Sequence, residues 1–404
     1  SRGLGDVYKR QPSFYAYQAT TKFADNPAYA LSGPATNSPY ALAAAYLFAF
    51  AMADILRRIL KPSHAHLSSA STLLTWIIRP ALLGSSGFWL ADWVHGLEQL
   101  DEATRSTFLV IKIWTARAVL FLLVAGAWYW YLSPLSLSVL REPTQKRDAP
   151  PKVALLGFGN TFGAAFLLFT SLAFSLLFLL SQPMGQLALS ACFVAMVLIA
   201  ELGDSERDAR LLAASKMPNA KDLSASPSHA PSLLEIVCIG LLGFVAFFST
   251  GHQATFTAIQ WRVAFVGFPV VTYPWSPLFV VLNAFGPLSI LPAFGVVLLT
   301  LWNVAPTRAK VQQEETGHVR PMRLPGDILR SALGLLLYVG VLTWSAALWA
   351  WFFRRHLMLF KIWVPRYMMA GLGLLITDVA LLGAVAVAWW IAARTAKAFG
   401  TLYT

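Results

Sequence analysis

His252, Gln253, Gln260, Trp261 and Arg262 stand close together, and Arg354, Arg355, His356 and Lys361 form a second polar group further along, each at the edge of a long apolar run. A charged side chain costs roughly 2.5–3.5 kcal/mol at the centre of a bilayer by insertion scales, so such groups belong at the membrane edge or need partners. Arginine, lysine and imidazole donors fit phosphate and anionic lipid headgroups, and amide and indole donors complete a polar site. The plainer reading of each stays open. Trp261 alone is an interfacial aromatic, a histidine at a segment end is often a hydrogen-bonded packing residue, and the arginines can serve as an ordinary topological stop signal.

Soluble-enzyme chemistry has no foothold in the chain. There is no His-Glu-x-x-His, Cys-x-x-Cys, Gly-x-Ser-x-Gly or Walker-type loop. The stretch Gly157-Phe158-Gly159-Asn160-Thr161-Phe162-Gly163 lacks the phosphate-binding lysine and misses dinucleotide spacing, so these glycines are expected to let helices approach. No catalytic residue and no metal ligand set is identified. Asp54, Asp92, Glu201, Glu235 and Asp378 lie in or at the ends of apolar runs; Asp378 is the deepest, either a proton or ion relay or a buried partner for a base.

The elements that must carry these residues are membrane helices. Of 404 residues 57% are hydrophobic and 12% charged, against the roughly 25% charge of soluble domains. Runs long enough to cross a hydrocarbon core about 30 Å thick occur at 40–58, 70–91, 112–133, 153–180, 184–201, 233–250, 276–302, 328–352 and 366–393. The predicted fold is all-α, a polytopic transmembrane helical bundle of nine spans. Pro80, Pro287 and Pro292 should kink their helices, and Pro269, Pro274 and Pro277 predict an irregular or re-entrant segment. Cys192 and Cys238 sit in apolar runs and are expected as buried thiols. The net charge of +12 is scattered in short clusters, which argues against nucleic acid and for membrane topology.

Charge bias orients the bundle. Arg57, Arg58 and Lys61, then Arg141, Lys146, Arg147 and Lys152, then Arg308, Lys310, Arg320 and Arg323, then Arg394 and Lys397 all fall on one side of nine spans, the cytoplasmic one. Residues 1–38 become a non-membrane segment on the opposite side, with 1–12 reading as translated adaptor sequence, so the chain is expected to be a piece of a longer protein. Residues 39–393 form the membrane domain, with 203–232 a flexible cytoplasmic loop and 394–404 a short cytoplasmic tail. Both polar groups then face away from the cytoplasm. The 353–365 connection breaks the positive-inside rule, which suggests that its charges have a partner there.

Thr250-Gly251-His252-Gln253-Ala254-Thr255-Phe256, with Ile259-Gln260-Trp261 and Ala264-Phe265-Val266-Gly267-Phe268, resembles the membrane region of GPI ethanolamine phosphate transferases, most closely type 3. Arg354-Arg355-His356-Leu357-Met358 through Lys361-Ile362-Trp363-Val364-Pro365-Arg366 is similar to the segment before the last helix of that family. The resemblance implies a multi-pass enzyme of the endoplasmic reticulum that moves phosphoethanolamine from phosphatidylethanolamine to a mannose of the GPI precursor, the third for type 3. It also implies a small membrane stabilising subunit as partner. The chemistry it implies belongs to a lumenal phosphatase-like domain with a threonine nucleophile and zinc-type divalent metal, which this chain does not contain; this chain holds no cofactor and is expected to be inactive alone. Arg354, Arg355, His356 and Lys361 become headgroup donors, and His252, Gln253, Gln260, Trp261 and Arg262 headgroup or domain contacts. A transporter or lipid scramblase using Asp378, or a purely structural anchor, are the other readings.

Overall fold

The computed structural model describes residues 39–64, 68–96, 100–132, 139–140, 154–155, 160–215, 230–252, 259–304, 324–355 and 363–402. In hydrocarbon a backbone must close its hydrogen bonds within the segment, and helix does this for runs of Leu, Phe, Val and Ala. Among the described residues the helices are α1 (Pro39–His64), α2 (Ser68–Leu73, a π turn at Leu74–Ile78, then Arg79–His95), α3 (Glu102–Leu132), α4 (Thr161–Leu180) and α5 (Pro183–Ser215). They continue with α6 (Leu233–Ser249), α7 (Trp275–Phe285, a π turn at Gly286–Ile290, then Leu291–Leu301), α8 (Leu324–Phe352) and α9 (Val364–Leu402). Each predicted apolar run corresponds to one of these helices. Seven of them, α2 to α5 and α7 to α9, are long and apolar enough to cross a membrane, and α6 is a shorter apolar helix. The bundle is all-α apart from a two-residue strand pair, Val139–Leu140 against Ala154–Leu155.

Several boundaries differ from the hydropathy reading. The fifth helix does not stop at 201 but continues through Ser215, so the expected 203–232 loop begins as helix. The segment Ser205-Glu206-Arg207-Asp208-Ala209-Arg210 is polar yet rich in helix formers, and hydropathy cannot see a helix once it has left the apolar layer. There Ser205 Oγ donates to Glu201 O at 2.9 Å and Arg207 Nε to Gly203 O at 3.2 Å. For the same reason α3 starts at Glu102 and α9 runs into the expected 394–404 tail. The fourth helix starts at Thr161 rather than 153; Gly157 and Gly159 lie outside the described residues, as do 1–38 and 216–229. Of the prolines expected to kink their helices, Pro287 lies in the second π turn, and Pro80 and Pro292 each stand two residues after a π turn, where a widened turn accommodates a residue that lacks its N–H.

Helix α4 is the axis, in contact with α1, α2, α3, α5, α7 and α9. Almost every side chain of α4 and of Leu291–Leu301 is buried, whereas α3, α8 and α9 turn Phe121, Val124, Leu337, Trp344 and Leu382 outward, the pattern of lipid-facing helices. Phe166 and Phe169 stack on Phe294 at 5.8 Å, joining α4 to α7. Small residues allow the closest crossings. A Cβ on Gly163 would lie 2.9 Å from Leu301 O and 3.0 Å from Trp302 Cα, and Gly126 is packed against Ile77 and Leu172. Several charges inside the apolar runs are matched locally, Asp378 excepted. Lys112 pairs with Asp92 across α2 and α3 at 2.8 Å, Arg79 lies over the Phe50 ring, and Asp54 pairs with Arg58 one turn on. Glu235 closes a capping box with Ser232 at the start of α6.

Candidate functional site

A helix leaves its last carbonyls without intrahelical donors, and at the end of a buried helix those carbonyls must be served by side chains. Helix α4 ends this way at Phe178, Leu179 and Leu180, all three buried. Gln186 Nε2 of α5 donates to Phe178 O at 2.9 Å, Trp89 Nε1 of α2 to Leu179 O at 3.1 Å, and Asn283 Nδ2 of α7 to Leu180 O at 2.8 Å. Three helices are thereby tied to one helix end. Each such bond contributes about 1 kcal/mol net, but an unserved buried carbonyl costs up to about 3 kcal/mol, so the arrangement fixes the relative height of the four helices.

His252 extends the network to α6. Because the Asn283 Nδ2 is committed to Leu180, its Oδ1 faces His252 Nε2 at 3.0 Å, which assigns the proton to Nε2. Nδ1 lies 3.0 Å from the Thr250 hydroxyl, which also reaches Ala246 O at 2.7 Å. The ring is 4% exposed and stacks on Phe247 at 5.3 Å. Burial holds its pKa below the ordinary 6.5, and the hydrogen bonds that His252 donates to Asn283 and Phe247 offset that only in part. Both ring nitrogens are engaged within the protein. Gly251 permits the turn that brings the ring inward, with φ of 85°.

Residues 259–274 of the connection that follows are irregular, as Pro269 and Pro274 predict, whereas Pro277 lies in the first turn of α7; the segment is packed down at several points. Gln260 Nε2 donates to Thr250 O at 2.9 Å, while its Oε1 is buried with no partner among the described residues. Trp261 is exposed and opens a 3-10 turn, Trp261–Phe265, in which Arg262 also faces outward. Ser276 Oγ donates to Ala264 O at 2.6 Å, and Arg117 Nε of α3 donates to Gly267 O at 2.9 Å. Gln253 lies outside the described residues.

The second group sits at the end of α8. Arg354 and Arg355 are exposed, and the Arg354 guanidinium lies 5.2 Å from the Trp351 ring. Beside them Trp349, Phe353 and Trp363 stack in near-parallel planes, Phe353 and Trp363 at 4.9 Å and 8°. None of the ion pairs found among the described residues includes Arg354, Arg355 or Arg366. His356 and Lys361 lie outside the described residues. The two groups meet at one end of the bundle: Phe247, which stacks on His252, lines the same cavity as Arg366.

Comparison with known proteins points the same way as the motifs. The chain is 33% identical over 259 residues to GPI ethanolamine phosphate transferase 3 of Eremothecium gossypii, and 30% over 270 residues to the protein of that name in Saccharomyces cerevisiae. The human GPI ethanolamine phosphate transferase 3, catalytic subunit, is 28% identical over 285 residues. Over about two thirds of its length the chain is similar to proteins of the GPI ethanolamine phosphate transferase 3 family. These alignments cover 64%, 67% and 64% of this chain but only 22%, 23% and 25% of the relatives, so the chain spans about a quarter of their length. No family model matches the chain, and no solved structure matches it.

The metal that the family resemblance implies does not fit here. Among the described residues no group of three or more His, Cys, Asp or Glu could hold an ion. The sequence reading named His252 and Gln260 but missed Asn283, Gln186, Trp89 and Arg117, which hold the same end together. A lone amide in an apolar run was a usable signal for Asn283 and Gln186; their carbonyl partners, 103 and 8 residues away, were not legible.

Proposed function

We propose that this chain is the membrane-embedded part of an ethanolamine phosphate transferase, which moves phosphoethanolamine from phosphatidylethanolamine to a mannose, the third, of a GPI precursor in the endoplasmic reticulum membrane. Both substrates are lipids with polar heads at the bilayer surface, and a rigid bundle supplies proximity by presenting them at a fixed height. The observation that carries this reading is the exposed pair Arg354 and Arg355, free of carboxylate partners among the described residues, at the same end as the His252 network. Guanidinium groups so placed are suited to phosphate. Phosphoryl transfer itself is assigned to a metal-dependent domain outside these residues, and the 404 residues alone are expected to insert without transferring. The small stabilising membrane subunit belongs to the same proposal. A transporter or scramblase reading would rest on Asp378 in α9, whose Oδ1 is buried with no partner among the described residues.

The test is replacement of both Arg354 and Arg355 by Ala in the full-length enzyme, assayed with a GPI acceptor at matched abundance. Transfer should fall by about tenfold or more, since a charge-assisted hydrogen bond contributes about 1.5–3 kcal/mol. Lysine at both positions should restore part of it, keeping charge and losing the planar fork. Unchanged transfer in the double alanine protein would remove the headgroup role. Loss of transport across vesicles on Asp378→Asn, with transfer intact, would favour the other reading.

A further inference from the structure

Between α6, α7, α8 and α9 the bundle leaves a cavity of about 270 Å³, reaching from Arg366 and Phe248 to Gly240 and Thr377. Its walls offer hydrocarbon from Phe244, Phe247, Leu335, Val339 and Met369. The hydroxyls along it are already bonded within the helices: Thr377 Oγ1 to Gly373 O at 2.7 Å, and Thr343 Oγ1 to Val339 O at 3.0 Å and Ala370 O at 3.2 Å. Apart from Arg366 at its edge, no side chain along it offers a free polar group, and such an apolar space does not hold water. Phe248, 52% exposed, forms its rim on the lipid side.

Size and charge narrow the occupant. From Arg366 to Thr377 along α9 the cavity extends roughly 16 Å at 1.5 Å per residue, about half a hydrocarbon core of 30 Å, which is the depth of one leaflet. Spread over that length, the space open to atom centres is a channel of roughly 17 Å² in section, no wider than the cylinder of Cα atoms about 2.3 Å from a helix axis, so a helix with its side chains does not fit and one extended hydrocarbon chain does. Among the described residues lining the cavity Arg366 alone carries a charge, and it stands at the membrane-edge end, its guanidinium 5.7 Å from the Trp363 ring.

We infer that this groove binds one acyl chain of a phospholipid from the adjoining leaflet, with Arg366 at its mouth holding the phosphate. The chain slot supplies depth and the guanidinium supplies height, so the headgroup is held at the end of the bundle where α6 and α8 finish. The shared chemistry is a phosphodiester on diacylglycerol, which both an ethanolamine and an inositol lipid carry. The inference is independent of the transferase reading, since binding is read without turnover.

The experiment is photo-cross-linking of the chain in liposomes that contain a trace lipid with a diazirine in one acyl chain. Phosphatidylethanolamine, phosphatidylinositol and the matching diacylglycerol are compared, and labelled peptides are mapped. At least one phospholipid should label α6 and α9 residues at the groove about tenfold more than diacylglycerol, and the better of the two identifies the source. Arg366→Gln should erase that preference, by about tenfold as expected for one charge-assisted contact, and Arg366→Lys should keep part of it. Ala370→Phe should fill the groove and abolish its labelling at an unchanged melting temperature; Ala346→Phe, from the α8 wall, does the same if the first variant folds poorly. Equal labelling by diacylglycerol would overturn the role of Arg366. Label spread evenly over the outward faces of α3 and α8 at Phe121, Val124 and Leu337, or undiminished in the filled variants, would reduce the groove to ordinary lipid contact and overturn the inference.

Discussion

At His252 two helices and a helix end depend on one neutral imidazole, since its Nε2 meets Asn283, which in turn serves Leu180, and its Nδ1 meets Thr250. His252→Ala should leave the Asn283 side-chain carbonyl without its donor, while the Thr250 hydroxyl keeps Ala246 O and Phe247 O, and destabilise the bundle by about 1–3 kcal/mol, read as a lowered melting temperature in detergent. The lowered pKa adds a pH signature. The folded state binds its proton later than the unfolded chain, so acidification favours unfolding; the stability carried by the neutral ring is complete above about 6.5 and is lost as pH falls through the lower folded value. Melting temperature should therefore drop more steeply from pH 7 to 5 in the native chain than in His252→Gln. Parallel slopes in the two proteins would refute this account of the histidine.

The helices cross at positions where a side chain has no room. On Gly243 of α6 a Cβ would collide with Pro292 and come within 3.0 Å of Leu288 O, a backbone atom within the Gly286–Ile290 π turn that cannot move aside. Gly340 of α8 has nothing within 4 Å of the same position. Gly243→Ala should thus cost about 1–3 kcal/mol by overpacking, and Gly340→Ala should be neutral or stabilising by about 0.4–1 kcal/mol through a stiffer unfolded chain. Thermal unfolding of the two variants side by side decides it, and equal effects would show that the α6–α7 crossing is looser than described.

On the scale of the whole bundle, polar contacts gather at two opposite ends. One holds the α4–α5 turn, the 250–275 connection and Arg366; the other holds Asn303, whose Nδ2 donates to Asp204 at 2.6 Å, and Arg394, which donates to the Tyr131 and Leu132 carbonyls at the end of α3. Alternation of the helices requires these ends to lie on opposite sides of the membrane, and the positive-inside rule places the second in the cytoplasm. Cysteines introduced at exposed Ser205 and exposed Trp261 should react with an impermeant reagent from opposite sides of sealed vesicles, Ser205 from the cytoplasmic one. Reaction of both from one side would break the alternation.

Hydropathy and residue type were enough to read an all-α membrane bundle, helix irregularity near Pro80, Pro287 and Pro292, the close approach at Gly163, and a family resemblance from two short motifs, because each is a property of consecutive residues. The extra length of α5 was hidden because a polar helix beyond the apolar layer carries no hydropathy signal. His252 was legible as a polar residue at a helix end, but its partners were not: Thr250, Asn283 and Leu180 converge only when α4, α6 and α7 are packed at their final heights. Arg366 likewise was one more base in a cationic connection until four helices left a slot one leaflet deep beneath it. The sequence by itself determined which segments are helices, since in hydrocarbon each must satisfy its own backbone. Only the tertiary structure decided which polar atoms face one another and which face lipid, because hydrogen bonding and cavity shape depend on packing between segments far apart in the chain.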